Sequence, residues 1–152
     1  MAVVWRLVRE KHAATAFSGV GAAKTGGRFN SPGTPVVYTS DSYALAMLEV
    51  RVHVATFRGM RDRVAVSAEI DDDLVDVLAA ADLPPDWRER PAPTSTQALG
   101  DAWIASGRSV ALRVPSVVVP EQTNVLLNPE HPDFRHIRIG APSALVLDPR
   151  LG

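Results

Sequence analysis

The chain contains no cysteine among its 152 residues. Disulfides, thiolate metal sites and cysteine nucleophiles are therefore excluded. The chain also has no apolar run of about 18 residues, the length from which a membrane-spanning helix is recognised. Its N-terminus does not combine a basic region with an apolar core, as a signal peptide does. We therefore expect a cytoplasmic protein with no membrane segment.

The chain has little excess of either charge. Its 16 Lys and Arg residues face 17 Asp and Glu residues, which gives a formal net charge of -1 at pH 7. Proteins that bind nucleic acid nonspecifically usually carry a strong positive field, so we expect no direct nucleic-acid binding. The length and the hydrophobic fraction of 46% suit one domain over residues 1–152 with its own core.

Short apolar segments predict several strands interrupted by a few helices. The predicted strands are 2–8, 36–38, 64–70, 110–114, 123–127, 134–139 and 144–147. Helical turns are predicted at 10–17, from Ser40 or Asp41 onward, at 74–81 and at 94–106. Residues 18–27 are predicted as a small-residue loop, and the four prolines in 83–93 predict an irregular surface segment. Since there is no regular alternation of strand and helix, we expect an α+β fold with a mixed or antiparallel curved sheet and flanking helices.

The stretch 26–50 carries most of the candidate chemistry. A loop rich in Gly and Pro presents Arg28 and Asn30, a short strand carries Tyr38, and the following helix carries Glu49. Helical spacing predicts that Leu45, Leu48 and Val52 face the core, with Glu49 at the edge of that face. A part-buried carboxylate in an apolar or basic segment usually has a function.

Arg6 adds a second guanidinium, since it lies in a strand that looks buried on both faces. Two guanidiniums can bind phosphate, Tyr38 offers a stacking face, and Glu49 can accept from a ribose hydroxyl or stabilise a developing cation. The set therefore fits a dinucleotide or another phosphorylated ligand. The alternative is structural: a salt bridge between Arg28 and Glu49 would fix the loop to the helix, with Tyr38 as a core aromatic.

Other chemistries fit the sequence less well. Ser116 follows a proline at a strand end, but no Gly-x-Ser-x-Gly motif is present, which disfavours a serine hydrolase. His131 and His136 lie on short turns, and the acidic run 71–73 lacks the later Gly and Glu of a calcium loop. We therefore predict no metal. Residues 18–27 match neither the Walker motif nor the dinucleotide-binding motif.

Taken together, several motifs resemble the RES-domain family over essentially the whole chain. They are Arg6, the run Gly-Arg-Phe-Asn-Ser-Pro-Gly-Thr-Pro-Val-Val-Tyr-Thr-Ser at 27–40, Leu48-Glu49, Val114-Pro115-Ser116 and the Asn124 to Pro132 run. Phe29 departs from the tryptophan expected more often at its position, but both residues are aromatic.

The resemblance implies a fold similar to ADP-ribosyltransferase domains and a toxin of a bacterial toxin–antitoxin system that consumes NAD as a substrate. Glu49, Arg28 and Tyr38 are then the expected catalytic residues, and Arg6, Ser116, Asn30 and Asn124 join Arg28 and Tyr38 in binding the substrate. The implied partner is an antitoxin with an Xre-like DNA-binding part that blocks the active site, and a homodimer within the complex is also considered.

Two classes of function remain open from the sequence. As an enzyme, the protein would transfer ADP-ribose from NAD to water, to phosphate or to a protein side chain. As a binding module, it would only hold a nucleotide or a protein. A Glu49→Gln change separates the two classes, because an enzyme would lose rate while keeping its fold.

Overall fold

The computed structural model describes all 152 residues, Met1–Gly152, and is built on one eight-stranded sheet. Its strands are β1 (Ala2–Arg9), β2 (Val37–Ser40), β3 (Arg63–Ile70), β4 (Val75–Val77), β5 (Ala111–Pro115), β6 (Thr123–Leu127), β7 (Arg138–Ile139) and β8 (Ser143–Ala144). The order is β4-β5-β6-β2-β1-β3-β7, and β8 also pairs with β3. All neighbours are antiparallel except β4 and β5, which are parallel. The predicted α+β class with a mixed sheet is confirmed.

Three α-helices flank the sheet: α1 (Val20–Thr25), α2 (Tyr43–Arg51) and α3 (Thr94–Ser106). Short 3-10 turns occupy Glu10–Thr15, Phe57–Met60, Asp72–Leu74, Ala80–Asp82, Pro132–His136 and Pro149–Leu151. The predicted helix at 94–106 is confirmed, and Gly107 ends it with a left-handed φ of 60°. None of the helices combines the length and the apolar character that crossing a bilayer requires.

Three buried apolar clusters hold the sheet and helices together. The largest contains Val4, Val66 and Val125 from three different strands. A second joins Phe29 of the loop before β2 to Trp103 of α3. Because the second cluster includes that loop, it fixes the segment that carries Arg28.

The inward stripe of α2 is only partly the predicted one. Leu45 is buried as predicted, at 3% exposure, but Leu48 and Val52 are 45% and 56% exposed. The third cluster forms around Leu7 of β1 and Ala65 of β3, and α2 contributes Tyr43, Ala46, Met47 and Val50 to it. That set keeps the helical spacing of three and four residues and is displaced along the chain relative to the prediction. The helix also starts later than predicted, because Ser42 provides the cap by accepting from the Leu45 backbone N–H at 3.0 Å.

Two further predictions in the first half of the chain are wrong. Residues 18–27 contain α1, which lies between Gly19 and Gly26, both with φ near +75°; the flanking glycines, not the whole segment, supply the irregular backbone. The helix predicted at 74–81 is absent, because the acidic run forms only one turn and Val75–Val77 pairs in parallel with β5. Two β-branched valines separated by one residue favour that strand.

The C-terminal strands are shorter than predicted. Residues 134–139 form the end of a 3-10 turn and then the two-residue β7, while the 144–147 prediction shrinks to β8. Phe134 is still packed against the largest cluster, so its apolar character reflects burial within a turn. The 83–93 segment is irregular apart from turns, as its prolines predict.

Candidate active site

A cleft of about 960 Å³ opens beside β1 and β2. The two strands share a single register pair, Trp5 with Ser40. One residue further on, Arg6 bridges the strands by donating from Nη1 to the Tyr38 carbonyl at 2.9 Å. Five of the seven predicted site residues line this cleft: Arg6, Arg28, Tyr38, Glu49 and Asn124. The other two, Asn30 and Ser116, lie behind its wall.

Glu49 is half-buried and is held through one of its two oxygens. Oε1 accepts from Ser116 Oγ at 2.7 Å and from Asn124 Nδ2 at 2.6 Å. Oε2 has no hydrogen-bond partner in the protein, and Glu49 takes part in no ion pair. The salt bridge with Arg28, the structural alternative, is therefore not formed. The carboxylate is oriented by two neutral donors and keeps one oxygen for a ligand.

Ser116 supports Glu49 from inside the protein. Its side chain is fully buried, and Oγ also accepts from the backbone N–H groups of Val118 and Val119, each at 3.0 Å. No histidine contacts the hydroxyl, so a serine-hydrolase arrangement is absent. Asn124 is itself held by Ser40 Oγ, which donates to its Oδ1 at 2.7 Å. The sequence assigned Ser40 to the 27–40 run and to a possible helix start, but not to this second support of Glu49.

The loop was predicted to present Asn30 to a ligand, but the Asn30 side chain makes its hydrogen bonds within the protein. It is fully buried, and its Nδ2 donates to the carbonyls of Ala22 and Thr34, both at 2.9 Å. Its Oδ1 accepts from the Tyr38 hydroxyl at 2.5 Å, and that hydroxyl accepts from the Phe29 backbone N–H at 3.0 Å. In this structure Asn30 therefore holds the loop and the Tyr38 ring in place.

Burial raises the pKa of Tyr38. The phenol therefore stays protonated at neutral pH and is not a general base there. Its ring lines the cleft, which leaves stacking and shape as the contributions that Tyr38 can make to a ligand.

Arg28 uses one guanidinium nitrogen in hydrogen bonds to the protein and leaves the other two without protein partners. Nη1 donates to the carbonyls of Trp87 at 3.0 Å and Glu89 at 2.7 Å, and no hydrogen bond uses Nε or Nη2. Burial and the neighbouring Arg90 lower the pKa of Arg28, while Glu49 acts in the opposite direction. Arg28 thus fixes the 83–93 segment and retains donors for a ligand.

The cleft is strongly cationic. Its lining contains five arginines and Glu49 as its one carboxylate; the arginines are Arg6, Arg28, Arg63, Arg88 and Arg90. None of the five forms an ion pair, whereas five other arginines of the chain do. Burial and then Arg63 lower the pKa of Arg6, and Arg6 Nε is buried without a partner. Five arginines without ion pairs around a single carboxylate point to an anionic ligand.

Arg63, Arg88 and Arg90 were missed from the sequence. Acids are adjacent to them in the chain, Asp62 before Arg63 and Glu89 between Arg88 and Arg90. Only the fold therefore shows that these arginines line a cleft and form no ion pair. No group of three or more His, Asp and Glu side chains lies together as a metal site. His131 uses both ring nitrogens within the protein, at the Gly107 carbonyl and the Asp133 backbone N–H.

A family model described as the RES domain matches residues 3–148. The chain belongs to the RES-domain family. The predicted membership, which was made on Arg6, the 27–40 run, Glu49 and Ser116, is thereby confirmed. In the fold Arg6, Arg28 and Glu49 line one cleft, and buried Ser116 contacts Glu49 from behind the cleft wall.

Curated RES-domain relatives match nearly the full chain. A protein named Toxin Res from Yersinia enterocolitica is 36% identical over 150 residues, which cover 98% of this chain and 99% of that protein. A protein named Prs ADP-ribosylating toxin from Sphingobium sp. is 38% identical over 152 residues, with coverage of 97% and 94%.

A solved structure shares the fold. A chain in the crystal structure of the M. tuberculosis MbcT–MbcA toxin–antitoxin complex superposes with a TM-score of 0.77 at 20% identity, covering 95% of this chain and 84% of that chain. The agreement in fold therefore extends over nearly the whole chain.

Proposed function

We propose that this RES-domain protein is a toxin that cleaves NAD between nicotinamide and its ribose, depletes NAD and arrests growth. The observation that carries the proposal is the position of Glu49. It is the one carboxylate of an arginine-lined cleft, oriented through Oε1, with Oε2 free. The cleft thus combines donors for a pyrophosphate with a single negative charge for a cationic centre.

The charges of the reaction match this arrangement. When the bond breaks, its electron pair goes to the nicotinamide nitrogen, so that nicotinamide leaves neutral and the ribose carbon becomes cationic. A carboxylate stabilises such an oxocarbenium-like centre or accepts from the ribose hydroxyls. Arg6 and Arg28 bind the pyrophosphate through their remaining donors, and Tyr38 provides a face for a ring. Ser116 and Asn124 keep Glu49 aimed at the ribose.

The acceptor that attacks the ribose carbon is water or phosphate in this proposal. Water loses a proton and gives ADP-ribose, while phosphate gives its 1-phosphoester. A protein side chain is the second candidate, favoured by the name of the Sphingobium relative, an ADP-ribosylating toxin. Mass spectrometry of reactions with NAD in phosphate, in phosphate-free buffer and in cell lysate distinguishes free ADP-ribose, its phosphoester and modified proteins.

The proposal includes an antitoxin with an Xre-like DNA-binding part and a cytoplasmic site of action. The structural neighbour comes from a toxin–antitoxin complex, and the unpaired Arg6 and Arg28 suit a carboxylate of a partner in place of the pyrophosphate. The antitoxin would then inhibit the enzyme by filling the cleft. The proposal also includes a dimer of the toxin within the toxin–antitoxin complex.

Expression in a bacterial host tests the toxin proposal. The wild-type protein should stop growth and lower intracellular NAD, and co-expression of the cognate antitoxin should restore both. A Glu49→Gln variant, expressed to the same soluble level, should be harmless, whereas a binding module would act equally well with either residue. Harmless accumulation of soluble wild-type protein with unchanged NAD would count against the proposal.

A further inference from the structure

Residues 83–93, which we name the strap, form a fixed wall of the cleft. Arg28 Nη1 donates to two strap carbonyls, and Ser95 Oγ donates to Asp86 Oδ1 at 2.5 Å. Leu83 is buried in the second cluster, and Trp87 packs against the same cluster. The strap is therefore anchored at its start, at its middle and next to its end, although it has no regular secondary structure.

Of the four charged residues of the strap, only the two arginines line the cleft. Arg88 and Arg90 line it, while Asp86 and Glu89 share with them only a smaller adjoining cavity of about 350 Å³. Arg90 makes no hydrogen bond through its side chain. Arg88 lies over the Trp87 ring, with its Cζ 5.8 Å from the ring centroid, and makes one long hydrogen bond of 3.4 Å to the Val117 carbonyl. Neither arginine forms an ion pair. Both are exposed at the cleft mouth, where their donors are open to a ligand.

The cleft has more positive charge than a pyrophosphate can balance. A dinucleotide brings one negative charge on each of its two phosphates, and Arg6 and Arg28 are already sufficient for these. Glu49 offsets one further cation, and the rest are left without a counterpart. Arg90 lowers the pKa of Arg28, so the strap brings like charges together at this end of the cleft. An additional anion there would relieve the repulsion.

We propose that Arg88 and Arg90 form a second phosphate subsite, which binds a phosphate dianion in addition to the pyrophosphate of the dinucleotide. Its role as part of a substrate site rests on the proposed function. Two planar guanidiniums are suited to a phosphate that carries several acceptor oxygens. The dianion has two sources of the same chemistry: free inorganic phosphate, or a phosphomonoester on the ribose of the dinucleotide.

Calorimetry on the full chain tests the subsite with unreactive probes. ADP-ribose and its 2′-phosphate derivative are titrated separately, and inorganic phosphate is titrated into the free protein and into the ADP-ribose complex, all at one ionic strength. The test variant is Arg88→Gln with Arg90→Gln, accompanied by each single change. The control is Arg58→Gln with Arg61→Gln, which removes the same charge from two exposed arginines outside the cleft. Thermal melts verify that every variant is folded.

Either of two results supports the subsite. In the first, inorganic phosphate binds the wild type, both alone and in the ADP-ribose complex, and its affinity falls roughly 10-fold or more in the strap variant. In the second, the 2′-phosphate derivative binds the wild type roughly 10-fold tighter than ADP-ribose, and the strap variant abolishes that preference. The first result identifies free phosphate as the source, and the second identifies the phosphomonoester. In both cases the control variant should behave as the wild type.

Other results overturn the subsite. Wild-type protein that binds no phosphate and shows no preference for the additional phosphate group has no such site, and the strap arginines then face a macromolecular partner. Equal losses in the strap and control variants would mean that only overall charge matters. The proposed function fails separately, by absence of NAD cleavage, and phosphate binding in the free protein would still be measurable in that case.

Discussion

Replacing Glu49 with glutamine should remove activity while leaving the fold intact. Glutamine keeps an Oε1 that accepts from Ser116 and Asn124 at the positions found here, and it replaces only the free Oε2 with an amide. Because both donors keep their acceptor, the free energy of unfolding should change by less than about 1 kcal/mol. Turnover should fall roughly 100- to 1000-fold, since the negative charge beside the ribose is lost.

Glu49→Ala provides the contrast. It leaves the buried Ser116 hydroxyl and the Asn124 amide without their acceptor, so the free energy of unfolding should fall by about 1–3 kcal/mol. Arg28→Ala should mainly weaken dinucleotide binding, because a phosphate contact is made in ground and transition state alike. Since no bond joins Arg28 to Glu49, the double variant should recover no stability relative to the singles.

The assay combines denaturant unfolding with steady-state NAD consumption on these variants. A Glu49→Gln protein that is as destabilised as Glu49→Ala would show that the carboxylate is needed for folding. Recovery of stability in the double variant would show a direct ionic interaction between Arg28 and Glu49. Either result would refute the assignment of Glu49 as a catalytic carboxylate held by neutral donors.

Three further predictions concern the supports of the site. Gly100→Ala should destabilise the protein by about 3 kcal/mol or more in thermal melts, because the added Cβ would lie 1.6 Å from the Phe29 carbonyl oxygen. Gly21→Ala, which has open space around it, is the control, and equal melting temperatures for the two variants would contradict the packing of α3 on Phe29. Ser116→Ala should lower kcat and leave KM for NAD nearly unchanged in steady-state kinetics, and a rise in KM alone would place Ser116 on the substrate. Burial raises the pKa of Tyr38, so the free energy of unfolding should fall as pH rises above about 10, where Tyr38 ionises only in the unfolded chain. Tyr38→Phe should reduce this pH dependence in alkaline denaturation, and an unchanged pH dependence would refute the prediction.

The sequence predicted the parts of the fold that local pattern determines. The alternation in 64–70 and the helix from Thr94 to Ser106 depend on neighbouring residues, and both were predicted correctly. The rotation of α2 was not, because a nine-residue helix carries apolar side chains on more than one face and only the sheet selects between them. The parallel β4 also depends on a partner far along the chain, β5.

The candidate site was predictable as a set of residues but not as an arrangement. Motifs identified Arg6, Arg28, Tyr38 and Glu49, and all four line the cleft. The sequence did not distinguish the residues that line the cleft from those that support it, since the burial of Ser116 and Asn30 depends on tertiary packing. The strap arginines were missed for the same reason, because the excess of positive charge arises only when the fold brings them to one cleft with Arg6, Arg28 and Arg63.

Release of nicotinamide from NAD by the purified protein is the most direct test of the central claim. Wild-type protein should release nicotinamide in proportion to enzyme and time, and Glu49→Gln at the same concentration should release it roughly 100- to 1000-fold more slowly with an unchanged thermal melt. Absence of nicotinamide release by folded wild-type protein, in phosphate buffer and with cell lysate as acceptor source, would contradict the claim, as would equal rates for the two proteins.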